Sequence, residues 1–63
     1  MTNNIGLILK QQGRTQMWLS IQLGVVSETV SLWCRNKHQP SITTLKYISV
    51  LLNVEYSELI NNK

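Results

Sequence analysis

The sequence predicts an all-α protein, a compact bundle of five helices, and three observations point there. Apolar residues recur at the three- and four-residue spacing of a helix face instead of alternating as in a strand. Residues that cap helices stand just before these stretches, and Gly or Asn stands just after them. The connections are short, with no repeat, linker or low-complexity tract. Sixty-three residues make one domain, 1–63, near the lower limit for a core that folds unaided.

Each helix is justified in turn. Asn3 or Asn4 can cap a first helix reaching about Gln12, which buries Ile5, Ile8 and Leu9 and ends at Gly13. Thr15 can cap a second, Gln16 to Leu23, with Leu19 and Leu23 on one face, and Gly24 breaks it. A third runs from about Ser27 to Arg35, with Val26 or Ser27 as N-cap residue. Its buried face is Val30, Trp33 and Cys34, and Glu28, Ser31, Leu32 and Arg35 point the other way. "NKHQP" is a loop. Ser41 then caps a fourth helix, with Leu45, Ile48 and Leu52 inward and Asn53 as its stop. A short fifth helix in "EYSELI" offers Tyr56, Leu59 and Ile60 either to the core or to the seam of a dimer.

Composition narrows the function. A hydrophobic share of 43% suits a globular chain and argues against disorder. No apolar run approaches the roughly 18 residues of a membrane span, and no signal peptide is visible, so a cytoplasmic protein with no membrane role is expected. The single cysteine allows no internal disulfide and no metal set, which suits a reducing compartment. Net charge is +3, and five of the six basic residues (Lys10, Arg14, Arg35, Lys37, Lys46) fall where Glu28 is the only acid. That is the footprint of a phosphate-facing surface, although mild charge on a solvated surface gives the same count. The serines lack His and Asp partners, the glutamates form no acid–base pair, and His38 stands alone in its loop. Neither catalysis nor a metal, cofactor or small-molecule ligand is expected.

The second and third helices are joined by only Gly24, Val25 and Val26, which forces a large angle and leaves the third helix protruding. A protruding helix fits the major groove of B-DNA, about 12 Å wide. This geometry requires a small residue where the helices cross, supplied by Ser20, and tolerance of positive φ in the turn, supplied by Gly24.

With these residues in place, positions 5 to 60 resemble the phage-repressor and Cro-type helix-turn-helix family, lambda-repressor-like DNA-binding domains. The resemblance is carried by Thr15-Gln16, Leu19-Ser20, "LGV" at 23–25, "TVSLW" at 29–33, "QPS" at 39–41 and "TLKYISVLLNV" at 44–54. It places the helix-turn-helix at about 16–35 and apolar residues at Leu19, Leu23, Val25, Val30 and Trp33. It implies a transcriptional regulator, by family default a repressor, acting in the nucleoid as a homodimer on an inverted repeat of double-stranded DNA. The implied base readers in the major groove are Ser27, Glu28, Ser31 and Leu32. The implied backbone contacts are Gln16, Thr29, Arg35, Asn36, Lys37 and Thr43, or its neighbour Thr44. The other reading is a protein-interaction module on the same fold, an antitoxin or anti-repressor, which exposed Leu32 and Trp18 would suit.

Two departures stand out. Many relatives carry an Arg–Glu ion pair where this chain has Leu9 and Cys34, and replacing both partners makes Cys34 a core filler. The recognition helix is also thin in basic charge, with Arg35 as its only cation, which makes a dimer necessary for useful occupancy. Trp18 is expected to pack over the first helix and Arg14, with a place beside the DNA backbone as the alternative, and His38 to be solvated or a weak phosphate contact.

Overall fold

The computed structural model describes residues 2–61. Five helices follow one another: α1 (Ile5–Gln11), α2 (Gln16–Leu23), α3 (Ser27–Cys34), α4 (Ile42–Leu52) and α5 (Tyr56–Leu59). The expected all-α bundle is what the chain adopts. One element is additional. Two-residue strands, β1 (Thr2–Asn3) and β2 (Ile60–Asn61), pair antiparallel, with Thr2 opposite Asn61 and Asn3 opposite Ile60.

The helices start where side chains can serve as caps. Thr15 Oγ1 accepts from the Trp18 backbone N–H at 2.9 Å, and Ser41 Oγ accepts from that of Thr44 at 3.2 Å. At α1 the residue that serves is Asn3, whose Oδ1 accepts from the Ile5 N–H at 3.0 Å, while Asn4, next to the helix, makes no side-chain cap bond.

The ends of α1 to α4 share one device. At Gly13, Gly24, Asn36 and Asn53 the backbone turns left-handed, with φ of +69°, +70°, +58° and +56°. In each case the next N–H reaches back five residues, from Arg14 to Leu9, Val25 to Ser20, Lys37 to Leu32 and Val54 to Ser49, at 2.9 to 3.1 Å. This is the Schellman closure, and Gly and Asn are the residues that tolerate its dihedral angles best.

All ten core residues are apolar: Ile5, Ile8, Leu9, Leu19, Val30, Trp33, Leu45, Ile48, Leu52 and Leu59. Every helix contributes, so no pair of helices has a finished core without the others. Tyr56 and Ile60, left open between core and dimer seam, are half-buried and pack against this cluster. Cys34 is half-buried, and its Cβ would lie 3.2 Å from a Cβ placed on Gly6. The absence of a side chain at Gly6 therefore sets the close approach of α1 to α3. Val25 departs from expectation: it is exposed, because the turn that carries it lies outside the core.

Candidate nucleic-acid interface

The interhelical contact between α2 and α3 is the most extensive in the fold. On α2, Ser20 is only 3% exposed and turns its hydroxyl back onto the Met17 carbonyl at 2.7 Å. A small side chain whose polar group is satisfied within its own helix lets the second helix come close. Gly24 and Val25 then close the end of α2, and Val26 opens α3 with extended backbone (φ −73°, ψ 148°).

On α3, Val30 and Trp33 anchor the inner side. Of the four residues expected to face outward as base readers, Glu28 is exposed, whereas Ser27, Ser31 and Leu32 are half-buried. Thr29, expected near a phosphate, is half-buried too. Ser27, Ser31 and Leu32 lie nearer the borders of the buried face than Glu28 does, where neighbouring segments cover part of each side chain. Gln16, Arg35, Lys37 and Thr43 are all exposed, with Thr44 half-buried. The structure thus sets Gln16 at the start of α2, Arg35 and Lys37 just beyond α3, and Thr43 in the first turn of α4.

Asn36 has a second occupation. Its Oδ1 accepts from the Asn3 backbone N–H at 2.8 Å and from Gln39 Nε2 at 3.0 Å. Asn3, 5% exposed, in turn donates from Nδ2 to the Trp33 carbonyl at 2.9 Å and to Gln39 Oε1 at 2.7 Å. This polar clasp ties the start of the chain to the loop after α3 and fixes the backbone that carries Lys37. Sequence reasoning missed it, since Asn3 lies more than thirty residues from Asn36 and Gln39 and such a separation leaves no periodic trace. The isolated Asn at a left-handed helix end was the one available signal.

The expected placement of Trp18 is found. Its ring is half-buried against the core, and the Arg14 guanidinium carbon lies over it at 4.1 Å from the centroid. Trp18 and the half-buried Leu32 are therefore less open to a protein partner than their sequence positions imply. Exposed apolar surface lies elsewhere, at Val26 and around a groove of about 350 Å³ lined by Leu23, Val25, Trp33, Thr43, Thr44 and Tyr47.

Burial pushes the Cys34 thiol above its ordinary pKa. It should stay protonated at neutral pH and react with iodoacetamide well below the rate of a free thiol, a result read by mass spectrometry with and without denaturant. The unfolded chain releases this proton first, so the contribution to stability is complete below the unfolded value and declines as pH rises past it.

No protein-family model matches the sequence, and neither does any curated protein. A crystal structure does: it superposes with a TM-score of 0.93 at 43% sequence identity, over 95% of this chain and 97% of the other, and is described as that of "a putative DNA-binding protein from Bacteroides fragilis". The chain belongs to that protein's family. Within the family the two chains match almost end to end, so the likeness takes in α2, the turn, α3 and the loop beyond.

Proposed function

We propose that the chain is a sequence-specific DNA-binding transcriptional regulator, a repressor of the phage-repressor and Cro type, acting as a homodimer on an inverted-repeat operator. The observation that carries this reading is the α2–turn–α3 unit with its outer face of Ser27, Glu28, Ser31 and Leu32, flanked by exposed Gln16 on one side and Lys37 on the other. The Bacteroides relative's DNA-binding description supports it. No described helix is long and apolar enough to cross a membrane. A cytoplasmic place, at the nucleoid, follows from the proposed role.

The chemistry divides by position. Serine bonds base donors or acceptors, the Glu28 carboxylate accepts from a cytosine amino group, and Leu32 meets a thymine methyl. Gln16, Thr29, Arg35, Lys37 and Thr43 hold phosphates and fix the register. Asn36 takes part through the backbone it shapes, since its amide serves Asn3 and Gln39. Few cations line α3, so one copy binds weakly, and two recognition helices about one helical turn apart supply the affinity.

Selection from a random duplex pool tests the proposal. Enrichment of an inverted repeat with half-sites about 10 base pairs apart supports it. No enrichment even at low salt sinks it and favours a protein-interaction module, the reading that exposed Val26 and the neighbouring apolar groove would serve. On a selected site, Glu28→Ala should change base preference at one or two positions, while Lys37→Ala should weaken all sequences about equally. Equal effects of the two changes on every sequence would refute that division of labour.

A further inference from the structure

We infer that Arg14, its guanidinium carbon seated over the Trp18 ring, is a pre-positioned phosphate clamp beside the first turn of α2. The inference rests on the DNA-binding reading and adds a contact that the resemblance does not imply.

Four features of the structure converge on it. The Arg14 backbone is fixed, because its N–H closes the end of α1 onto the Leu9 carbonyl at 2.9 Å. The Trp18 backbone is fixed as well, by the Thr15 hydroxyl at 2.9 Å. Between these anchors the guanidinium rests on the indole face, 4.1 Å from its centroid. Its Nε donates to Gln12 Oε1 at 3.2 Å, and Gln12 is itself held by a 2.8 Å bond from Nε2 to the Leu52 carbonyl.

This arrangement decides which part of the side chain is left for a ligand. One face is covered by the ring, and the inner edge is turned to Gln12. The bond to Gln12 uses Nε, so the two terminal amino groups with their four N–H donors are not engaged by it. An arginine usually loses rotamer freedom on gripping a phosphate, and here much of that loss has already occurred on folding. Arg14 is exposed and two residues before Gln16, so a phosphate approaching Gln16 comes within reach of the arginine fork. The same stack on a surface that meets no ligand would add a little to stability and nothing to binding.

The test uses the full chain, the duplex selected from the random pool and an unrelated duplex of equal length, over a range of salt concentrations. Arg14→Gln should raise Kd about 5–10-fold on both duplexes near 0.1 M salt and reduce the salt slope by about one. Trp18→Leu keeps the charge and removes the platform, so it should weaken both complexes by a smaller factor with the slope intact. Circular-dichroism melts confirm that each variant is folded. If the parent chain binds its selected duplex and folded Arg14→Gln matches it in affinity and slope, the clamp is overturned and the DNA-binding reading stands. If the parent chain binds no duplex at low salt, the reading itself fails and the clamp with it.

Discussion

Ser20→Leu should lower the melting temperature by roughly 5–20 °C, the largest effect expected of a change at the helix-turn-helix. Ser20 is nearly sealed from solvent, on one of the two helices that make the most extensive helix contact of the fold. A leucine there forces three more carbon atoms into a dry crossing, and overpacking of this kind costs about 1–3 kcal/mol, at about 4–8 °C per kcal/mol for a domain this small. The total stability expected of such a domain is only about 3–9 kcal/mol, so at the low end of that range the change removes most of it. Ser20→Ala is the informative control. It removes a hydroxyl whose bond stays within its own helix, to Met17, and alanine favours helix by about 0.5 kcal/mol, so the melt should hold or rise slightly. A thermal melt of Ser20→Leu that overlays the parent would show that α2 and α3 do not need a small residue between them.

Asn3→Ala should cost about 2–3 kcal/mol, from the loss of buried bonds and not from lost apolar contact. The variant removes the acceptor for the Ile5 N–H and the donors to the Trp33 carbonyl and Gln39, two of which join segments thirty or more residues apart. The backbone carbonyl of Trp33 would be left without that partner at the end of α3. Hydrogen exchange separates this account from a general loss of stability. Amides of Asn36 and Lys37 should lose protection more than those of α4, whereas uniform loss across the chain would contradict a local clasp.

Much of this architecture is legible in the sequence because helices announce themselves locally. Thr15 and Ser41 stand at their caps, Gly13, Gly24 and Asn53 at left-handed ends, and the three- and four-residue spacing sorts Ile5, Leu19, Val30, Leu45 and Ile48 inward. Arg14 lies before the Thr15 cap, outside α2, so its stacking on Trp18 is a contact across the helix start and not a helical i, i+4 pair. What escapes is non-local or marginal. Two-residue strands are too short to alternate, so nothing marks Thr2 as a partner of Asn61. The amide clasp joins residues whose separation follows no period. The half-burial of Ser31 and Leu32 escapes because a face assignment made by helical angle treats border positions as either in or out. Val25 sits at an apolar position of the resemblance, yet the turn that bears it stands clear of the core.

The pairing of β1 with β2 has a consequence for how the molecule comes together. Its partners stand at opposite ends of the described residues, so closing it draws all the helices between them into a ring. Ring closure has an entropic cost that grows slowly with length and falls once the intervening helices are formed and docked. The pair is therefore expected to assemble last and to open first, a latch on an already folded body. A covalent link between Thr2 and Asn61, with new ends cut in the loop between α3 and α4, should preserve the helices while moving the chain's breathing motion from its ends to the segment that bears Lys37.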